Sequence, residues 1–200
     1  MKLKTLVGVD WQYTDCGLLE AYYLAYYMPY GDVTNWTSRI HKFKNKEDVD
    51  DYVVLTNLVT EAIKEDNLQF DFVVRVLGHG STFAKKNDSI RDFAIKVARA
   101  TNARYIPELI KKHNATAPLH TMGRQARFQV SIGNYYVDPF NCKDLNLNNK
   151  KILIVDDITT TGSSLIEICR ALHDVWPDAK VYSLCLARTK NDNPNANLNL

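Results

Sequence analysis

Residues Lys151 to Ser164 read KILIVDDITTTGSS, and this stretch decides the fold. Ile152, Leu153, Ile154 and Val155 form an unbroken apolar run rich in β-branched side chains. Such a run suits a strand covered on both faces, as in a parallel sheet with helices on either side. A helix is expected from Ser163 to about Val175, with Pro177 stopping it. Val181–Ala187 (VYSLCLA) supplies the next strand. Strand, helix and strand in succession specify an α/β fold with a mostly parallel central sheet flanked by helices.

The elements upstream follow from periodicity. Ser89–Ala100 places Ile90, Phe93, Ala94, Val97 and Ala98 on one helical face, with Asp88 or Ser89 as cap. Phe70–Leu77 is a compact apolar strand that ends in the turn Gly78-His79-Gly80-Ser81. EDVDDYVVLTNLVTEAIKED, from Glu47, is an amphipathic helix with acidic residues in its first turns. Leu18, Leu19, Tyr22, Tyr23 and Tyr26 fall at helical spacing, so Leu18–Met28 reads as a helix ended by Pro29 and Gly31. Its tyrosine stripe is better explained as core than as a base-stacking surface. Thr5–Val9, Arg104–Leu109 and Tyr135–Val137 read as short strands, and Asn35 to Lys46 as a polar stretch. Lys111 to Arg127, KKHNATAPLHTMGRQAR, is basic, polar and poorly periodic, which suits a functional lid better than a simple connection.

Composition bounds the function. The chain has 200 residues, 46% hydrophobic and 24% charged, an ordinary globular balance for one domain. A formal net charge of +2 gives no strong nucleic-acid signal. Cys16, Cys142, Cys169 and Cys185 are far apart and form no C-x-x-C pair, so no zinc knuckle or thioredoxin-like centre is indicated. Cys169 and Cys185, inside apolar runs, read as buried thiols. The N-terminus makes a poor signal peptide, and GLLEAYYLAYYM is too short to span a membrane, so the expectation is a cytoplasmic protein.

The chemistry lies at the carboxyl end of KILIV, where open α/β sheets bind ligands. Adjacent Asp156 and Asp157 repel each other and call for a partner. Ribose hydroxyls, or a hard cation with its waters, would satisfy them. Thr159, Thr160, Thr161, Gly162, Ser163 and Ser164 then crowd hydroxyls at a helix start, where free N–H groups and the positive dipole end favour a phosphate. Carboxylates directly before a phosphate cradle imply a sugar between them. Each element alone is an ordinary strand–helix turn with a cap; their combination in this order points to a ribose 5-phosphate site.

ILIVDDITTTGSS resembles the phosphoribosyl pyrophosphate (PRPP) binding motif of type I phosphoribosyltransferases, with Thr159 standing where an aliphatic residue is usual. The order of elements from Phe70 to Arg188 is similar to the ComF-like and amidophosphoribosyltransferase-like branches, although the C-x-x-C module frequent in ComF-like proteins is absent. The resemblance implies a single domain: an N-terminal hood or extension over residues 1–66, an α/β core over 67–189 and a polar tail over 190–200. It implies that Asp156 and Asp157 hold the ribose hydroxyls and Mg²⁺, and that Thr159 to Ser163 hold the 5-phosphate. Leu77–Ser81 takes the position of the pyrophosphate loop, with Gly78, His79, Gly80 and Arg75 as PRPP contacts and a strained or cis peptide in character there. The basic stretch supplies Lys111, Lys112, His120, Arg124 and Arg127, with Arg124 as the catalytic cation and Arg127 as a PRPP ligand. The implied partners are PRPP and a base or amine acceptor, and type I members are often homodimers. Trp11, Tyr13, Trp36 and the segment after Arg188 are candidate base contacts. Two other readings stay open: a non-catalytic PRPP or nucleotide sensor of a DNA-related or defence system, and a generic phosphosugar binder.

Overall fold

The computed structural model describes residues 3–5, 16–27, 35–45, 49–116 and 129–189. In chain order these form β1 (Lys4–Thr5), β2 (Leu18–Tyr27), α1 (Asn35–Asn45), α2 (Val49–Glu65), β3 (Phe72–Arg75), α3 (Ser89–Ala100), β4 (Arg104–Tyr105), β5 (Ile110–Lys112), β6 (Tyr135–Val137), α4 (Pro139–Cys142), β7 (Lys151–Thr159), α5 (Ser163–Val175) and β8 (Lys180–Thr189). Six strands make one sheet in the order β1-β2-β8-β7-β3-β4, and β5 and β6 form a separate antiparallel pair. All neighbours in the large sheet run parallel except β1 against β2.

β7 lies between β3 and β8, and Ile152 to Val155 are each 0% exposed. Their alternation assigns the two halves of the core. Ile152 and Ile154 pack with Leu165, Ile168, Cys169 and Leu172 of α5. Leu153 and Val155 face the opposite layer, made by Phe93 and Val97 of α3, Leu55 and Val59 of α2, and Ile40 and Phe43 of α1. Helices on both faces explain why β7 shows no polar alternation. Asp88 caps α3 as expected, its side chain accepting the Arg91 N–H at 2.7 Å.

The structure corrects the N-terminal reading. Leu18–Tyr27 is a strand, not a helix, paired parallel to β8 from Leu18↔Val181 to Tyr27↔Thr189. Ala21 to Ala25 are all buried, because β2 lies inside the sheet with both faces covered. Continuous burial erases the two-residue period and lets the apolar positions mimic a helical one. Tyr22 and Tyr23, 7% and 4% exposed, are core residues as the stripe was read. Residues 35–45, taken as a polar stretch, form α1, anchored by Ile40 and Phe43 at one-turn spacing. β4 covers only two residues of the expected Arg104–Leu109 strand, and Pro107 falls in a turn. Of the expected Thr5–Val9 strand, Thr5 is in β1 and the rest lies outside the described residues.

Burial raises the phenols of Tyr23, Tyr52 and Tyr105 from 10.0 to about 12, and pushes Tyr22 and Tyr135 up as well. A phenol raised by folding is neutral in both states at low pH. Above its ordinary value only the unfolded chain ionises freely, so stability is full below pH 10 and falls as pH rises through 10 towards 12. Buried Lys112, lowered to about 8, acts with the opposite sign, but only up to its ordinary 10.5. Urea unfolding at pH 9, 10 and 11 is expected to show a falling midpoint above pH 10. Absorbance at 295 nm should show these phenols ionising only as the fold opens.

Candidate functional site

β7 carries its ladder past Val155 through Asp156 and on to Ile158 and Thr159, opposite Cys185, Ala187 and Arg188 of β8. The acidic pair therefore sits on the last part of the strand rather than in a loop beyond it. Consecutive strand positions send the two side chains to opposite faces, so a single ligand could meet both only across the carboxyl end of the strand. Asp156 is half-buried and Asp157 is 9% exposed. The Asp157 N–H donates to Asp156 Oδ1 at 2.9 Å, and the Ile158 N–H donates to Asp157 Oδ1 at 2.7 Å. These bonds fix each carboxylate against the backbone. Both carboxylates help push the Cys185 thiol up, although burial is the larger cause.

After Thr159 the chain turns through Thr160 and Thr161 to Gly162, which adopts φ 72° and caps α5 without a side-chain hydrogen bond. Glycine adopts this left-handed conformation without the Cβ clash that other residues meet. Gly162 has no side chain with which to cap the helix start, where the first N–H groups and the positive dipole end suit a phosphate. Hydroxyls ring the turn: Thr161 Oγ1 and Ser131 Oγ each donate to Ser163 Oγ at 3.3 Å. Thr159 and Ser163 are buried, whereas Thr160 and Thr161 are half-exposed.

The second loop, Leu77–Ser81, leaves the end of β3 beside β7, where Val76 N donates to Val155 O at 2.9 Å. Ser81 N closes a tight turn on Gly78 O at 3.1 Å. Among the described residues, none would lie within 4 Å of a Cβ added at Gly78 or Gly80, so towards them one side of this loop is open. No cis peptide occurs among the described residues, so of the strained or cis peptide expected here the cis alternative is not found.

Arg75 is not turned towards this loop's open side. It is 2% exposed, with NH1 paired to Asp88 Oδ1 and NH2 donating to Lys85 O at 2.7 Å. It braces the cap of α3 within the fold.

Lys111 and Lys112 are not lid residues either. Both belong to β5, which pairs with β6 in register Lys111↔Tyr136 and Lys112↔Tyr135. Pairing with β6 supplies the regularity that their polar sequence hides. Lys111 reaches Asp138 at 3.3 Å, whereas Lys112 is 4% exposed. Burial lowers Lys112 to about 8, with Asp156 acting the other way. His120, Arg124 and Arg127 lie outside the described residues, as do Trp11, Tyr13 and the Trp36 side chain.

The hairpin's other root meets α5. Gly133 N donates to Glu167 Oε2 at 2.6 Å, and Tyr135 bonds Ser164. Ser131, Gly133 and Tyr135 were not singled out from the sequence. Nothing local marks them, because their partners stand some thirty positions away.

Among solved structures, an adenine phosphoribosyltransferase shares 13% identity over 70% of this chain and 73% of its own, with a TM-score of 0.43. A hypoxanthine phosphoribosyltransferase from Staphylococcus aureus shares 15% over 78% of this chain and 66% of its own, TM-score 0.40. An adenine phosphoribosyltransferase from Leishmania tarentolae shares 8% over 84% and 91% respectively, TM-score 0.46. No curated protein matches at a significant level. The family model for the phosphoribosyl transferase domain matches residues 48–198, from the start of α2 to beyond β8, and the chain belongs to that family.

Proposed function

We propose that the protein is an Mg²⁺-dependent phosphoribosyltransferase that binds PRPP and transfers its ribose 5-phosphate to a nitrogen nucleophile, releasing pyrophosphate. One observation carries this reading. A pair of carboxylates at the end of the central strand leads within five residues into an uncapped helix start ringed with hydroxyls. In this reading Asp156 and Asp157 accept hydrogen bonds from the ribose hydroxyls, while Thr159 to Ser163 and the first N–H groups of α5 hold the 5-phosphate. The Leu77–Ser81 loop faces the diphosphate with its backbone amides, and Arg124 and Arg127 supply bidentate cations to it. The late position of the motif favours a ComF-like or amidophosphoribosyltransferase-like member.

The donor set suits Mg²⁺. Among the described residues no group of three or more His, Cys, Asp and Glu could hold a metal. Mg²⁺ commonly takes only a carboxylate or two beside substrate oxygens and water. Asp156 and Asp157 would hold it, and it would supply charge neutralisation for the departing diphosphate. The chain's own share is electrostatic. Fixed carboxylates lie beside a sugar carbon that gains positive charge, and donors face the leaving group. No protein nucleophile is needed.

The test is pyrophosphate release from PRPP with Mg²⁺ across a panel of purines, pyrimidines and amines. Release that depends on one acceptor is expected. PRPP binding without release under every acceptor would leave a sensor, and indifference to the diphosphate would leave a phosphosugar binder.

A finer prediction concerns Gly162. Alanine there puts a Cβ into left-handed backbone at a cost of about 1–2 kcal/mol. The first turn of α5 is expected to shift, weakening ribose 5-phosphate by about tenfold in calorimetric titration and lowering the melting temperature by a few degrees.

A further inference from the structure

We propose that Lys112 is a positioning residue that sets the peptide orientation of the Leu77–Ser81 loop, so that consecutive N–H groups face the diphosphate. The inference rests on the reading of that loop given above. Lys112 is buried on β5, behind the loop, and its Nζ donates to Leu77 O and Gly78 O, both at 3.1 Å. Its own backbone N–H donates to Thr82 O at 2.9 Å, and Thr116 N donates to His79 O at 2.8 Å. Three successive carbonyls, those of Leu77, Gly78 and His79, are thus drawn towards β5 and the residues that follow it.

A trans peptide unit is planar, with its C=O and N–H pointing in opposite directions. Turning those three carbonyls inward turns the N–H groups of Gly78, His79 and Gly80 away from β5. Among the described residues, none lies within 4 Å of a Cβ added at Gly78 or Gly80 on this loop. Consecutive N–H groups of this kind form an anion-binding concavity. A buried cation behind the loop adds a field of the same sign. The aromatic face of Tyr135, 5.0 Å from Nζ, and the charge of Asp156 hold the ammonium there. The lysine therefore acts through the backbone and need not touch ligand.

Lys112→Met keeps the length of the chain and removes the donor. In the full-length protein with Mg²⁺, inorganic pyrophosphate is expected to bind about tenfold more weakly, because hydrogen bonds to charged groups are lost through misoriented amides. Ribose 5-phosphate should bind within about twofold of the wild type, since its donors belong to α5. Amide hydrogen exchange should rise at Ser81 and Thr116, whose N–H groups donate to Gly78 O and His79 O, and stay unchanged in α5. If Met disrupts folding, Lys112→Gln, which keeps one donor group, should give the same split at smaller size. A folded variant with unchanged exchange at Ser81 and Thr116 overturns the proposal, as does equal weakening of both ligands. Raised exchange in the variant, with no pyrophosphate binding by the wild type, would instead overturn the functional reading of the loop and leave the strut in place.

Discussion

Replacing Asp156 and Asp157 together by asparagine is expected to lower phosphoribosyl transfer by about a thousandfold or more while leaving the fold intact. The two halves of this result have separate causes. In the fold, each carboxylate's Oδ1 accepts the N–H of the next residue, at 2.9 and 2.7 Å. An asparagine Oδ1 accepts the same bond, so the end of β7 keeps its shape. The substitution also removes two adjacent negative charges from a site where Asp157 is 9% exposed, relieving repulsion and desolvation. Thermal stability should change little, because the relieved repulsion is offset by the loss of the Asp156 charge that faces buried Lys112. In function, the amides lose the charge that would bind Mg²⁺ and balance a positive sugar carbon. Initial rates of pyrophosphate release and thermal melting measure both halves. A folded double variant with wild-type PRPP affinity would show that the ribose assignment is wrong.

Arg75→Met should do the reverse, lowering stability by about 3 kcal/mol with little effect on ribose 5-phosphate affinity. Arg75 is 2% exposed, and its guanidinium joins the end of β3 to the cap of α3 through Asp88 and Lys85 O. Asp88 is 30% exposed on its side chain, so losing Arg75 strands a carboxylate that water can still reach. That places the cost at the lower end for a broken buried pair. Asp88→Asn is the informative partner variant. Asparagine still caps the helix by accepting the Arg91 N–H, so what it removes is the counter-charge. Urea unfolding of both single variants and the double is expected to give a coupling energy above about 1 kcal/mol. A large loss of ribose 5-phosphate affinity in folded Arg75→Met would instead return the arginine to the ligand site.

These two cases show where the sequence is legible. The acidic pair could be read because it is fused to the one strand whose composition is unmistakable; apolar Ile152 to Val155 admit no other partner geometry. The helix after Gly162 and its hydroxyl turn are local features and could be read the same way. Arg75 could not, since the direction of a strand side chain depends on register against β7 and on Asp88, thirteen residues away. Lys112 reads from the sequence as one of several basic lid residues that could reach the pyrophosphate. Only the pairing of β5 with β6 places it behind the Leu77–Ser81 loop. β2 failed for a related reason: a strand covered on both faces has no period of its own, and its neighbour β8 lies far along the chain.

The central claim is that Asp156 to Ser163 hold a ribose 5-phosphate, and calorimetric titration of ribose 5-phosphate into the wild type, Asp156→Asn/Asp157→Asn and Gly162→Ala proteins tests it most directly. The account predicts a single site in the wild type, competed by PRPP and weakened in both variants while each remains folded. Absence of binding to the wild type, or equal affinity in all three proteins, would contradict it.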